Sequence, residues 1–311
     1  MIKQIIYICL KERVMLMYAY TWYQWMLFFF IYCLIGWIIE SAYVSVKSFR
    51  FVNRGFLRLP LLPLYGSGAI IMLWLSLPVK GNLLLVFLFG MAGASVLEYV
   101  TGYVMERLFK MKYWDYSNNP FNLNGYVCLG TSIAWGLLTI LLTEVVHRPL
   151  EWLVLELNPT LCIELVTVIG ILFIIDTIHS TREALDLGHV LESMTKIKAE
   201  LEEVQLQMAL LKAETAQKVS ELRSETMQRA ATIKDETFIK ISSIKAETTS
   251  ALKESALMER LQSLTESREK LTKHLTITRK GILRRNPTAS SRVFGDALKE
   301  LKEYSKKYRK S

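Results

Sequence analysis

The sequence lacks the short motifs that identify several enzyme classes. It has no GxxxxGK[ST] phosphate-binding loop, no GxSxG nucleophile elbow and no CxxC pair. Nucleotide hydrolysis by a P-loop and ester hydrolysis by an α/β-hydrolase site are therefore excluded. The four cysteines and four histidines are too scattered to form a disulfide framework, a metal site or a catalytic cluster. We expect no enzyme activity, no metal and no cofactor.

Charge is scarce in the first part of the chain, and tryptophan is missing from the last part. The 311 residues are 51% hydrophobic and carry a net charge of +9, with a mean hydropathy of +0.25. Up to about Thr181 the chain is apolar and aromatic, whereas nearly every later helical turn would carry Lys, Arg or Glu. This change predicts one body in lipid and one in water. The basic charge suits an anionic membrane surface, and no motif for a specific nucleic acid is present.

Five apolar segments predict a membrane bundle. A bilayer core about 30 Å thick requires about 20 apolar residues in a helix. The segments that meet or nearly meet this length are 22–46, 62–79, 82–105, 128–146 and 160–180. The second is short; Pro60 and Pro63 suit a first helical turn, and Gly66 and Gly68 leave a broken or re-entrant element as an alternative. We predict an all-α fold: a polytopic bundle of about five spans, followed by a long cytosolic helix or coiled coil.

The short loops predict the orientation. Loops 47–58 and 106–127 are basic, whereas the opposite loops carry one basic residue each. The positive-inside rule then places the N-terminus outside and the C-terminus in the cytosol. The basic residues of segment 1–21 violate the rule, and a natural start at Met15 or Met17 would remove the violation.

Two glutamates lie within predicted spans. Glu40 follows Gly36 by four residues, so both share one helix face. Glu98 lies in a stripe of small residues at steps of four, the kind that lets helices approach closely: Gly90, Ala94, Glu98 and Gly102. Both glutamates would lie in the cytosolic third of parallel spans, which predicts one shared internal space. One interpretation is a structural ion pair with Arg54, Arg58 or Arg107; the other is a substrate, proton or gating role.

Linked motifs carry a resemblance to a known family. GWIIE (36–40), RGFLRLPLLPLYGSG (54–68), LEYVTGYVMERLF (97–109) and YWDYSNNPFNLNGYVCLG (113–130) together resemble the ABC-transporter permease family called type IV or CmpB-like, over about residues 22–181. The matching positions are Gly36, Trp37, Glu40, Gly55, Pro60, Pro63, Tyr65, Gly66, Glu98, Tyr99, Glu106, Trp114, Asp115, Tyr116, Ser117, Asn122, Gly125 and Leu129. The resemblance implies a multi-span protein of the bacterial plasma membrane. It implies no substrate, and an ATPase would have to be a separate chain.

The predicted cytosolic loops hold the remaining candidate site residues, which are Arg54, Arg58, Trp114, Asp115, Tyr116 and Asn122. The loop 113–127 is rich in aromatic side chains and turn signals. Such a loop suits either an ordered cap over the cytosolic mouth or an anchor in the headgroup zone.

An 11-residue repeat follows the membrane segments. It reads KAETAQKVSEL, RSETMQRAATI, KDETFIKISSI and KAETTSALKES from Lys212. This period gives 3.67 residues per turn and favours a right-handed supercoil. No proline interrupts residues 183–278, so the pattern allows one helix about 140 Å long. Its apolar face is narrow and half threonine, which predicts a homo-oligomeric coiled coil; a solvated helix and a membrane-lying helix are the alternatives.

The pattern breaks at RRNPTASS, after Gly281. The last segment is a candidate basic amphipathic helix that either contacts anionic lipid or remains solvated. The chain thus divides into an N-terminal segment, a bundle, a helical coiled coil and a basic tail, over residues 1–21, 22–181, 182–280 and 281–311.

Two functions compete. The first is a transport-associated permease subunit that works with a separate ATPase, in which Glu40 and Glu98 line or gate a polar path. The second is a membrane-anchored scaffold whose cytosolic coiled coil organises partners. A gene for an ATPase beside this one would favour the first.

Overall fold

The computed structural model describes residues 20–228, 235–278 and 280–307. The predicted start sites Met15 and Met17 lie outside the described residues. Helices make up 80% of the structure and strands almost none, which confirms the all-α class. The chain divides into two units. Their described parts are residues 20–188 with 280–295, and residues 189–228 and 235–278 with 296–307.

Nine described helices follow one another along the chain. They are α1 (Trp22–Ser48), α2 (Pro63–Ser76), α3 (Leu83–Phe109), α4 (Leu129–Leu141), α5 (His147–Glu156), α6 (Pro159–Gln228), α7 (Asp235–Thr278), α8 (Lys280–Arg285) and α9 (Gly295–Lys307). A 3-10 turn, Leu77–Val79, follows α2, and a π-helical turn, Leu142–Val146, joins α4 to α5. The strands β1 (Asn122–Leu123) and β2 (Val127–Cys128) form a small antiparallel hairpin.

Four helical stretches of the described chain are long and apolar enough to cross a membrane. They are Trp22–Ser48, Leu83–Phe109, Leu129–Glu156 and the start of Pro159–Glu221. The second predicted span corresponds to Pro63–Val79, which is apolar but shorter. The outer faces of these helices expose large apolar side chains such as Ile38, Val100 and Ile174. These side chains are what lipid contact requires.

Local sequence sets where the helices begin. Thr21 forms a capping box at the start of α1. The Asn82 side chain caps α3 by accepting hydrogen bonds from the N–H groups of Leu84 and Leu85, at 3.0 and 3.2 Å. Pro63 occupies the first turn of α2, as predicted, because a helix start needs no N–H there. Side-chain and proline signals of this kind fix helix starts that are otherwise uniformly apolar.

The core of the first unit lies where α1 and α2 pack against the other spans. The largest fully buried side chains there are aromatic or aliphatic, among them Phe28, Leu57 and Leu73. Gly66 of α2 lies so close to Phe29 and Cys33 of α1 that a Cβ atom would meet their atoms. Gly66 therefore serves helix contact, and α2 is a continuous helix rather than a broken one.

The second unit corrects the prediction of a single helix about 140 Å long. The chain forms two helices there, α6 and α7, and ion pairs join them in antiparallel order. Lys212 Nζ lies 3.6 Å from Glu254 Oε1, and Arg260 lies 3.9 Å from Glu200. The two helices therefore lie side by side within one chain. Self-association stays a prediction, and the repeat positions from 229 to 234 lie outside the described residues.

Helix α9 belongs mainly to the same second unit. Its Asp296 carboxylate lies 2.8 Å from Lys198 Nζ, and its Glu300 lies 2.6 Å from Arg268. Its apolar side chains, which include Leu298 and Leu301, are buried. The apolar face of this helix is therefore covered, and contact of its basic residues with anionic lipid stays a prediction.

The antiparallel pairing predicts a specific cross-link. We expect Lys212→Cys with Glu254→Cys to join within one chain on treatment with a short bismaleimide, because the native side chains meet. The product should run as a compact monomer on a denaturing gel. Ser267→Cys in place of Glu254→Cys is the control, since it lies about 20 Å farther along α7. Cross-links found exclusively between chains would contradict the hairpin and favour an oligomeric coiled coil.

Candidate functional site

A cavity of about 660 Å³ lies in the first unit, at the end of the bundle where the basic loops meet. We name this end, formed by loops 49–62 and 110–128, the basic end. Glu40 and Glu98 both line the cavity, although they come from different helices. Measured along the helix axis, Glu40 lies about 12 Å before the last residue of α1, and Glu98 lies about 16 Å before the last residue of α3. The geometry brings together the two carboxylates that the sequence singled out; their role stays a prediction.

Glu40 is held by a tyrosine and an arginine. A Cβ atom at Gly36 would collide with the Tyr65 ring, so the missing side chain makes room for that ring against α1. The Tyr65 hydroxyl donates a 2.9 Å hydrogen bond to Glu40 Oε1. Arg54 Nε lies 3.8 Å from Glu40 Oε2. Of the three arginines predicted as ion-pair partners, Arg54 is the one that pairs with Glu40.

The Arg54 side chain is 12% exposed and has several further partners. It donates to Asn286 Oδ1 at 2.9 Å and to the Tyr113 carbonyl oxygen at 3.2 Å. Burial lowers the pKa of the Arg54 guanidinium, and the Glu40 carboxylate opposes that shift. The guanidinium stays charged, because arginine is not deprotonated in proteins. Its positive charge is therefore compensated within the protein, by the Glu40 carboxylate and by two neutral oxygen acceptors.

Glu98 differs from Glu40 because its hydrogen-bond partners are neutral. It is 4% exposed. Trp135 Nε1 donates to Glu98 Oε2 at 2.9 Å, and the Tyr116 hydroxyl donates to Oε1 at 3.2 Å. In the described part of the chain, no arginine or lysine forms an ion pair with Glu98. The whole small-residue stripe of α3 is buried, and a Cβ atom at Gly90 would meet Thr139 of α4.

The aromatic loop reaches into the cavity. Trp114, Asp115 and Tyr116 all line it. Phe121, in contrast, is 80% exposed. The first part of the loop thus covers the cavity and its tip is exposed, while the cap and the headgroup anchor both stay predictions.

A tight turn holds this loop in place. Gly125 has a φ of +72°, and a Cβ atom there would lie 2.6 Å from Asp115 Oδ1 and 2.7 Å from Lys112 Nζ. Burial raises the pKa of Asp115, but hydrogen bonds from Ser117 and Ser290 and the charge of Lys112 lower it below its ordinary value. Asp115 is therefore an ionised anchor of the turn, paired with Lys112 at 3.4 Å.

Two predicted site residues lie away from the cavity. Arg58 has a half-exposed side chain and pairs with Glu183 at 3.2 Å. Asn122 donates to the carbonyl oxygens of Ser117 and Asn119, at 3.1 and 2.8 Å, and thus closes the turn of the aromatic loop. Both side chains organise the basic end, and neither lines the cavity.

The structure adds residues that the sequence did not point to. The segment 280–295, which we name the C-terminal segment, belongs to the first unit, whereas the sequence division assigned nearly all of it to a tail. Its Asn286 and Thr288 line the cavity. Asn286 also donates to the Gly55 carbonyl oxygen at 3.0 Å. In the sequence, the break in helical pattern at RRNPTASS marks this segment, but it does not indicate which residues the segment contacts.

The C-terminal segment is fastened at both ends. Arg285 pairs with the buried Glu183 of α6 at 3.0 Å, and Glu183 also accepts the Ile282 N–H at 3.0 Å. Ser290 exchanges backbone hydrogen bonds of 2.8 and 2.9 Å with Lys112. The segment therefore covers part of the cavity with its middle and is held by charge pairing and backbone pairing on either side.

A second polar cluster surrounds the buried His147. The Tyr32 hydroxyl lies 2.8 Å from His147 Nδ1, and the Tyr20 hydroxyl lies 3.2 Å from Nε2. Because the Tyr20 hydroxyl donates to Glu151, the histidine must donate from Nε2 and accept at Nδ1 from Tyr32. The signal in the sequence was a polar or hydrogen-bonding residue at every fourth position of one span: Thr131, Trp135, Thr139, Thr143, His147 and Glu151.

Within the described residues, no group of three or more His, Cys, Asp or Glu side chains is placed to hold a metal ion. The cavity instead combines carboxylates, the guanidinium of Arg54 and aromatic rings. Tyr65 and Trp135 lie with ring centroids 5.6 Å apart. This arrangement can bind a solute by charge and ring contact.

Comparison with known proteins agrees with this picture. The model of the family described as "Putative ABC-transporter type IV" matches residues 27–181, which span α1 to the apolar part of α6. No curated protein and no solved structure matched the chain. Over residues 27–181, the chain therefore belongs to this ABC-transporter family.

Proposed function

We propose that the chain is the membrane subunit of an ABC-type transport system and that its cavity binds the solute. The observation that carries the proposal is the cavity itself, lined by Glu40 and Glu98 at the basic end of a bundle from an ABC-transporter family. Its volume of about 660 Å³ is within the range of small-molecule sites, which are about 300–1,000 Å³.

The basic end faces the cytosol in this proposal. Arg54, Lys112 and Arg285 gather there, and the loops at the opposite end carry one basic residue each, Lys80 and Arg148. Positive residues are retained on the cytosolic side of bacterial membranes. The cavity is then entered or closed from the cytosol, and the C-terminal segment lies across the same side.

ATP hydrolysis would come from a separate chain, because this one has no phosphate-binding loop. A coupling surface must lie at the cytosolic end. The aromatic loop 113–127 suits this role, since its tip is exposed at Phe121 while Tyr116 contacts Glu98. A partner that moves this loop would act directly on a carboxylate of the cavity.

The second unit supports the scaffold as the competing function. It forms its own helical body, and the α6 residues Leu206 and Leu210 leave exposed apolar side chains one turn apart. Such a stripe suits a protein partner. Scaffolding and transport make different predictions about which part of the chain retains an ATPase.

An affinity pull-down from native membranes tests the proposal. A chain cut after Thr181 is unsuitable, because it would lose Glu183 and the C-terminal segment that lines the cavity. We therefore propose a shortened hairpin in which a Gly-Ser linker replaces residues 213–253, joining Lys212 to Glu254 where they already meet. The first unit and α9 are kept.

The two functions predict opposite results. Transport predicts that an ATPase copurifies with both the full chain and the shortened chain, because coupling lies at the membrane loops. Scaffolding predicts other partners that are lost when the hairpin is shortened, and no ATPase with either chain. The second result would overturn the proposed function.

A further inference from the structure

The charges around the cavity leave one carboxylate without a counter-charge. Glu40 is paired with Arg54 at 3.8 Å, and Asp115 is paired with Lys112 at 3.4 Å. Lys47 also lines the cavity, but it is exposed near the end of α1, where water screens its charge. Glu98 is the buried exception, since its described partners are an indole N–H and a phenol.

A buried carboxylate with no counter-charge needs a positive ligand or a proton. Hydrogen bonds from neutral donors satisfy its oxygens but leave its charge uncompensated. The surrounding walls are largely apolar and aromatic, with Tyr65, Trp114 and Trp135 among the rings. Aromatic faces attract organic cations through their negative quadrupole, and apolar walls bind the hydrocarbon part of the same ligand.

Other ligand classes fit less well. A bare metal cation needs several ligands, and no group of three or more His, Cys, Asp or Glu side chains among the described residues is placed to hold one. An anion would need a free positive group inside the cavity, but Arg54 is engaged by Glu40, Asn286 and the Tyr113 carbonyl oxygen. The other lining cation, Lys47, is exposed, so water screens its charge. A buried negative charge beside aromatic rings therefore suits an organic cation better than an inorganic cation or an anion.

We propose that the cavity binds a small organic ammonium ion, with its charge at Glu98 and its apolar body against the rings of Tyr65 and Trp135. This inference rests on the proposed function, because it names the class of solute that the transport site takes. Tyr116 then acts as the link between the loop and the ligand, since its hydroxyl shares the Glu98 carboxylate with the cation.

Calorimetric titration of the full-length protein in lipid nanodiscs tests the inference. The probes are phenethylammonium and phenethyl alcohol, which share a ring and a chain length and differ in charge. We expect the wild-type protein to bind the cation about tenfold or more tightly than the alcohol, as a charge-assisted contact implies. This comparison needs no variant.

Variants then locate the site. We expect Glu98→Gln to remove the preference for the cation while keeping the hydrogen-bond geometry and the helical signal. Glu164→Gln is the matched control, because this exposed glutamate of α6 does not line the cavity. Its titration should equal that of the wild-type protein.

Each other outcome overturns the inference in a recognisable way. Equal binding of the alcohol would reject the ammonium class and keep a solute cavity. Cation binding that survives Glu98→Gln would place the ligand elsewhere. No binding of either probe would reject the inference while the pull-down for an ATPase decides the proposed function independently.

Discussion

Glu183→Gln should detach the C-terminal segment from the first unit. Glu183 and Arg285 are both buried, with side chains 6% and 9% exposed, and they lie 3.0 Å apart. Removing one member of a buried pair leaves the other charge without compensation, which typically costs about 3–5 kcal/mol. Arg58 also touches Glu183, but its side chain is half exposed and can turn to water. The loss of stability therefore affects Arg285 and the C-terminal segment in which it lies.

Limited trypsin digestion in nanodiscs measures this effect. The C-terminal segment offers Arg284, Arg285 and Arg292 as cleavage sites, and we expect faster cutting there in Glu183→Gln than in the wild-type protein. The melting temperature of the variant should also fall. Glu192→Gln is the control, because its pair with Lys196 is exposed and such pairs contribute about 0–1 kcal/mol. Equal digestion and melting in all three proteins would show that the pair does not hold the segment.

The same variant has a consequence for the cavity. Asn286 is hydrogen-bonded both to Arg54 and to the Gly55 carbonyl oxygen. Because it is the neighbour of Arg285, it would lose both hydrogen bonds if the C-terminal segment detached. Arg54 would then lose one of its neutral partners and rely more on Glu40. Under the proposed function, a released segment widens the cytosolic opening, and this can be followed as faster exchange of a bound probe.

Patterns local to one helix were predictable from the sequence. The shared face of Gly36 and Glu40 and the small-residue stripe around Glu98 follow from helical spacing alone, and they gave the common space that both glutamates line. The first-turn position of Pro63 was predictable for the same reason. In each case, the deciding interactions join residues only three or four positions apart.

Long-range pairing was not predictable. Arg54 meets Asn286, and Lys112 meets Ser290, across most of the chain, and no spacing rule connects them. The 11-residue repeat determines which face of a helix is apolar. The same repeat is expected whether that face packs against another chain or against a second helix of its own chain. No proline marks the end of α6 at Gln228, so the hairpin had no local signal.

Gly36→Ala should destabilise the protein although alanine is the better helix former. A Cβ atom at this position would meet the Cβ and ring of Tyr65. These atoms sit near the Tyr65 backbone, so they cannot swing away as a flexible side-chain end could. Overpacking of this kind costs about 1–3 kcal/mol. It outweighs the helix-propensity gain of about 1 kcal/mol that alanine brings.

Gly170→Ala separates the gain in helix propensity from the cost of overpacking. Gly170 lies in the apolar part of α6, and a Cβ atom there would have its nearest neighbour, Phe30, at an ordinary distance of 3.9 Å. We expect this variant to melt at the same temperature as the wild-type protein or above it, and Gly36→Ala to melt below it. A Gly36→Ala protein as stable as Gly170→Ala would mean that α1 and α2 have room to move apart.

The displaced ring matters for the site as well as for stability. Tyr65 reaches Glu40 with its hydroxyl because its ring packs against Gly36, which lies one turn before Glu40 on the same face of α1. Moving the ring removes this hydrogen bond and leaves Arg54 to hold Glu40. It also shifts the ring away from Trp135, which opens the aromatic wall of the cavity. We therefore expect Gly36→Ala to weaken binding of an ammonium probe without changing any charge, whereas Gly170→Ala should leave it unaltered.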